Sequence, residues 1–291
     1  MGRSLWTGFF LAALCACGDG SGSDAGDSEG GDSESGDTDT DSGGSDTDGG
    51  GGGESSGDSD SGNRQDASEG DGGDSLVTYG EVYEGGLFHL GPVDWQESEW
   101  HNACAPAGGY APSIRALEGT LLAGLWIGIP DVSRYCDACI HVETAAGKSA
   151  LLRVVTTTET TPNSIDVSPE AFDVLDSGEH PRAMSWQLAR CPDTGDIVYE
   201  FQVGAQQWWS SLWVRNARVP IESVEVRSAN HASFVPLTRG PDGALTDWDG
   251  FGVGPFTLRV TSIEGAVIED DFEWPEGGID GLTVTGSGNF Q

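Results

Sequence analysis

Two stretches of this chain place side chains where they can recognise or transform something. The first is the adjacent pair Trp208 and Trp209, set among Gln206, Gln207, Ser210 and Ser211. An indole turned to water offers a broad flat apolar face with a polar edge, a surface suited to stacking. Tryptophans more often pack a core, but four polar neighbours are unusual company for a core, and they favour exposure. The second stretch is Asp166-Val167-Ser168-Pro169-Glu170-Ala171-Phe172-Asp173-Val174-Leu175. Asp166 has the chemistry to accept or donate a proton, or to hold a hydroxyl by a charged hydrogen bond. An Asp before a helix also satisfies backbone donors, and the residues alone favour that structural role.

Strands must position the tryptophans. Ile197, Tyr199, Phe201 and Val203 alternate at period two, which predicts a strand ahead of the pair. A second strand over 212–215 puts Leu212 and Val214 on one face, with Trp209, Ser211, Trp213 and Arg215 on the other. With the first face dry, the second is expected to be wet, and Trp213 is added to the exposed set on that parity. A third strand, 221–226, follows Pro220, and later strands are read over 232–237, 256–262, 266–272 and 281–284. Short strands at this spacing predict a sandwich over 192–291. Upstream, strands are read over 77–82, 86–90, 121–129, 138–143, 150–156 and 184–189, making a first folded domain over 76–191. Its one clear helix starts at Ser168, a good cap, with Pro169 in the first turn and Glu170 at the positive end of the dipole. Asp173 is placed on the solvent side of that helix.

Composition narrows the function. Across 291 residues, 48 acidic side chains face 13 Lys plus Arg, a formal net charge of -35. A phosphate backbone needs the opposite balance, so nucleic acid is excluded as a partner. Residues 1–17, MGRSLWTGFFLAALCAC, read as a secretory signal whose apolar run is too short for a permanent span. The ending Leu14-Cys15-Ala16-Cys17 resembles a bacterial lipobox, which makes Cys17 the lipidation candidate and predicts a lipoprotein at the cell surface or outer membrane, with simple secretion as the alternative. Residues 18–75 are Gly, Ser, Asp, Glu and Thr almost throughout, with eighteen acidic residues against Arg64 alone. Such a stretch buries too little apolar surface to offset ordering entropy and is expected to be a disordered, extended tether. Cys104, Cys136, Cys139 and Cys191 remain as two structural disulfides of open connectivity, as suits an oxidising compartment. Cys136-Asp137-Ala138-Cys139 has no second such motif, and the five histidines lack ligand spacing, so neither metal nor other cofactor is expected.

Several segments, taken together and in order, resemble the bacterial expansin-like proteins. They are Asp166 to Phe172; Trp208-Trp209 with Val214-Arg215-Asn216; Pro220-Ile221; Gly254-Pro255-Phe256-Thr257-Leu258-Arg259-Val260-Thr261-Ser262; and Cys136-Asp137-Ala138-Cys139-Ile140-His141-Val142, similar to the family's CGxC strand. The resemblance spans 78–285 and is best in the second domain. It implies an all-β fold: a six-stranded double-psi β-barrel followed by an immunoglobulin-like sandwich that binds cellulose. It implies a platform of Trp208, Trp209 and a third ring, for which Trp248 in Thr246-Asp247-Trp248-Asp249-Gly250-Phe251 fits best. Asp166 becomes the groove carboxylate. The family's first-strand threonine and second aspartate are missing, since the matching stretches read Gly80-Glu81-Val82-Tyr83 and Val154-Val155-Thr156-Thr157-Thr158-Glu159. Tyr83, Thr157 and Glu159 are the nearest substitutes.

The expected function is a monomeric, non-hydrolytic protein that binds cellulose or a related β-glucan and loosens contacts between polymers. One alternative is a surface-anchored binding lipoprotein with an inert barrel. Another is a weak β-glucan hydrolase or transglycosylase, disfavoured because hydrolysis at a shared barrel of the family-45 endoglucanase type needs two carboxylates and only Asp166 is secure.

Overall fold

The computed structural model describes residues 76–91, 103–106 and 109–291. The signal-like start, Cys17 and the acidic tether lie outside the described residues. The described residues fall in one compact unit, within which a ring of six strands precedes a two-sheet sandwich.

The ring contains β1 (Thr78–Leu90), β2 (Leu122–Trp126), β3 (Cys139–Thr144), β4 (Ser149–Thr158), β5 (Ile165–Val167) and β6 (Ala183–Ala189). They pair in the order β1-β5-β2-β4-β3-β6, with β6 returning to β1. The β1/β5 and β2/β4 pairs are parallel and the other pairs antiparallel. Leu125, Ile140, Leu152, Ile165 and Val167 fill the middle. Helix α1 (Pro112–Glu118), a 3-10 turn (Val132–Tyr135) and helix α2 (Pro169–Leu175) pack around it. Ser168 caps α2 by accepting from the Ala171 amide at 3.3 Å. Its hydroxyl also donates to Thr120 O at 2.6 Å and accepts from the Leu122 amide, so one cap staples the helix to β2.

This architecture corrects the expected fold class. The all-β architecture of two sheet domains stands, with α1 and α2 as short additions to the strands. The evenly closed double-psi barrel is replaced by a ring with a bulged seam. β1 meets β6 at only five partner pairs, with register shifts on both sides of Tyr83. Each shifted interval contains a glycine at positive φ, Gly80 at 70° and Gly85 at 77°. Such glycines bend a strand and interrupt its ladder. The reading of two strands over 77–82 and 86–90 becomes one long strand with these kinks.

The sandwich contains β7 (Val198–Phe201), β8 (Ser210–Arg215), β9 (Ile221–Arg227), β10 (Val235–Pro236), β11 (Thr238–Arg239), β12 (Leu245–Asp247), β13 (Phe256–Ser262), β14 (Val267–Phe272) and β15 (Thr283–Thr285). One sheet runs β10-β9-β13-β14 and the other β11-β12-β8-β7-β15. Between them Phe201, Phe251 and Phe256 pack with ring centroids 5.2 to 6.2 Å apart.

Ring and sandwich meet over a buried charge network. Arg215 on β8 is fully buried. It donates to Glu200 Oε2 at 2.8 Å, to Cys104 O at 3.0 Å and to Asp137 Oδ2, with its guanidinium over the Tyr110 ring. Nearby, Arg153 pairs with Asp193 and lies 3.4 Å from Glu118. The cysteines pair as Cys104–Cys136 and Cys139–Cys191. At the same junction the turn after β11 rests on the first disulfide. A Cβ on Gly243 would sit 2.7 Å from Cys136 Cβ, so no larger residue fits.

Candidate functional site

The sandwich presents its tryptophans from two neighbouring strands. A tight turn at Gln206–Trp209 closes with paired backbone bonds of 2.7 and 3.1 Å and delivers the chain into β8. β12 runs antiparallel beside β8 with Asp247 opposite Ser210. One step outward from that pair lie Trp209 on one strand and Trp248 on the other, so the ladder sets these two positions side by side. Trp208 is 60 % exposed and Trp248 is 69 % exposed. Trp209 is half-buried and packs against the sandwich core. The surface therefore has two open indoles and a third that shows one side.

The turn carrying Trp248 is held firmly. Asp247 Oδ1 accepts from the Asp249 amide at 3.1 Å, and its Oδ2 lies 2.7 Å from His231 Nε2. Asn230 Nδ2 donates to Asp249 O and Gly250 O at 3.0 and 2.9 Å. Gly250 has φ 68°, and a Cβ there would fall 2.4 Å from Gln207 O and from Trp208 Cα. The Gly252 amide donates to Gln207 O at 2.7 Å. Rings fixed in this way lose little freedom when something lies across them. Neither Asn230 nor His231 stood out in the sequence, where β12 itself went unread because it has only three residues.

Trp213 is a correction. It is 1 % exposed, and its Nε1 donates to Asp242 O at 3.0 Å. The β8 face assigned to solvent is covered by the first domain and by the β11–β12 turn, so all six β8 residues are buried.

Asp166 lies on β5, one step before the helix start that the sequence suggested. Ile165 and Val167 point into the ring, so strand alternation turns Asp166 outward, where it is half-buried. Its neighbour on β2 is Gly124, which has no side chain to cover the carboxylate. Thr158 Oγ1 donates to Asp166 Oδ2 at 2.6 Å. On the β1 side stands His89, whose Nε2 is buried without a partner. Thr157 had been named as the substitute hydroxyl. The β2/β4 register shifts by one upstream, at Val155, so beyond it Thr158 takes the place. Tyr83 stacks on Trp186 at 4.1 Å on the seam and shares a hydrogen bond with Tyr135, 2.8 Å away. Burial and that bond push the Tyr135 phenol up to about 12. Glu159 is exposed. Among the described residues Asp166 hydrogen bonds to no second carboxylate, and none form a cluster of metal-ligating side chains.

No family model matches the chain. It is 25 % identical over 223 residues to Expansin-YoaJ of Bacillus subtilis, covering 75 % of this chain and 86 % of that protein. Expansin-like protein 6 of Dictyostelium discoideum is 29 % identical over 110 residues, 36 % of this chain and 38 % of its own. The crystal structure of apo Clavibacter michiganensis expansin superposes with a TM-score of 0.57 at 19 % identity, covering 72 % of this chain and 98 % of that one. A point variant of that protein, solved in complex with cellohexaose, gives the same TM-score at 18 % identity.

Proposed function

From a chain homologous to the expansins and carrying this surface, we propose that it binds cellulose or a related β-linked glucan and loosens contacts between polymer chains without cutting them. The observation that carries this reading is the pair of open indoles, Trp208 and Trp248, backed by a turn that cannot relax. The equatorial hydroxyls of a β-linked glucose ring leave both of its faces apolar. Those faces stack on indoles while the hydroxyls keep their contacts with water, and Trp209 adds an edge. An extended glucan lying across the rings would be held away from its neighbours, and each sugar face on an indole is one fewer on another chain.

In the ring, Asp166 is the groove carboxylate. Its Thr158 hydrogen bond orients one oxygen and leaves the other free to accept a sugar hydroxyl. Inverting hydrolysis needs an acid and a base on opposite sides of the bond, and retaining hydrolysis needs a nucleophile as well as an acid. Among the described residues Asp166 hydrogen bonds to a hydroxyl and to no other carboxylate, an arrangement suited to holding a sugar. The same observation supports a second reading, in which the ring is inert and the sandwich alone does the binding.

The deciding experiment measures retention on microcrystalline cellulose, release of reducing ends and weakening of cellulose strips on the same preparation. Retention and weakening without reducing ends support the proposal; retention alone supports the inert-ring reading. Reducing ends that disappear in Asp166→Asn would replace both with hydrolysis. Export as a monomer through a lipid on Cys17 is part of the proposal too. Intact mass of the membrane-extracted protein tests the lipid.

A further inference from the structure

On the sheet that runs β10-β9-β13-β14, a cleft opens between the ends of β9, β13 and β14 and the turn that follows β9. Its lining includes Arg227, Ser228, His231, Thr257, Asp271 and Phe272, and its volume is about 600 Å³, inside the ~300–1,000 Å³ span of small-ligand sites. Thr257 on β13 lies opposite Arg227 on β9 and Asp271 on β14. Arg227 Nη2 donates to Thr257 Oγ1 at 3.2 Å, and Thr257 Oγ1 donates to Asp271 Oδ1 at 2.6 Å. The guanidinium is also steadied by the Phe234 ring, whose centre is 4.7 Å away. Three strands thus hold a donor, a hydroxyl and an acceptor in one row. That row uses one N–H group of Arg227 and one oxygen of Asp271, and the others remain for a ligand. Phe272 is half-buried and gives the cleft an aromatic wall. The turn after β9 closes through Ser228–His231 backbone bonds of 3.0 and 3.1 Å. In it Ser228 Oγ is buried without a hydrogen-bond partner, an unmet polar group of the kind that calls for a reason.

A ligand here must accept from a guanidinium and donate to a carboxylate while laying an apolar face on a ring. A neutral sugar does all three. Glu273, also in the lining, makes two carboxylates to one guanidinium and so turns anions away. Arg227, set across Thr257 from Asp271, does the same for metal ions. His231 ties the cleft to the indole surface: it lines the cleft while its Nε2 lies 2.7 Å from Asp247 Oδ2, beside Trp248. The indoles extend from the ends of β8 and β12 in the other sheet, so the cleft lies off their row. We propose that the cleft is a subsite for a neutral sugar carried as a branch on a glycan whose main chain lies on the indoles. The branch places its hydroxyls between Arg227 and Asp271 and its apolar face toward Phe272. This inference rests on the glucan reading and adds to it a preference for substituted chains over bare ones.

The test follows amide chemical shifts of the full chain during titration with cellotetraose and with the same glucose backbone carrying xylose branches. Both ligands should move the amides of Trp208 and Trp248, and only the branched one should also move those of Ser228, Thr257 and Asp271. The branched ligand should bind about tenfold more tightly. Arg227→Gln and Asp271→Asn should each remove most of that advantage and leave cellotetraose affinity as in the parent. Both side chains are exposed, and thermal midpoints check that the variants fold. Three results would overturn the branch site and leave the glucan reading standing: movement of the indole amides alone, equal movement of the cleft amides by both ligands, or an advantage that survives both variants. No movement at either place with either ligand would overturn the glucan reading and the branch site with it.

Discussion

The two halves treat polar and apolar groups in opposite ways. The sandwich spends its exposed surface on indoles and braces them with Asn230, Asp247 and His231. Around its described groove the ring offers one carboxylate with one hydroxyl beside it, while Asp137 and Glu118 are turned inward and buried. Recognition of a flat polymer calls for exposed flat faces, and the sandwich has two open indoles, Trp208 and Trp248. Under the proposed function, affinity belongs to the second half and the first has a lesser, positioning part.

The largest effect should come where the halves join. Arg215→Met strands the Asp137 and Glu200 carboxylates in a dry interior and is expected to cost about 3–5 kcal/mol of stability; denaturant titration should show both halves weakened together. A variant that melts the sandwich while sparing the ring would break the picture of a shared seam. Next, Trp208→Ala and Trp248→Ala should each lose about 2 kcal/mol of cellulose affinity with folding intact, measured by depletion isotherms. Parent-like retention in the double variant would remove the platform. His231→Ala should cost roughly 1 kcal/mol of that affinity by loosening the Asp247 turn, with His231→Gln recovering part. A matching change in Trp248 emission would separate loss of position from loss of fold. Asp166→Asn is expected to alter cellulose retention by less than ~0.5 kcal/mol while reducing strip weakening, which would sharpen the division of labour; equal loss of both would erase it.

A separate effect, read in pH and not in affinity, concerns Glu118. Burial, followed by repulsion from Asp137, holds its carboxyl well above the ordinary value of 4.5. A group raised in the folded state contributes most below its unfolded value, and that contribution is lost as pH rises through the folded one. Parent stability should therefore decline as pH climbs from about 4.5, and Glu118→Gln should flatten the decline. Thermal midpoints across pH 4 to 8, about the working span of such a titration, test it.

Much of this was legible in the sequence because local rules governed it. Polar neighbours marked the Trp208–Trp209 pair as exposed, which Trp208 is and Trp209 is only in part, whereas Trp248 came from the family resemblance and not from a local rule. Ser168 and Pro169 announced α2 by capping chemistry alone. The failures came where long-range packing overruled alternation. Trp213 follows the parity of a wet face, yet the other half of the molecule covers that face. Thr157 lost its place to Thr158 because a one-residue register shift is invisible without the neighbouring strand. The bulged β1/β6 seam went unread because the positive φ of Gly80 and Gly85 is not visible in composition.

The Arg215 hub also bears on protein engineering. Its guanidinium is shared by acceptors on both sides of the junction, so the sandwich is not a detachable cassette. A fusion carrying residues 192–291 alone would leave Arg215 with Glu200 as its one carboxylate and would uncover Trp213. Grafting the binding surface onto another scaffold would require either transplanting the junction loops with it or repainting that side with neutral, water-compatible residues.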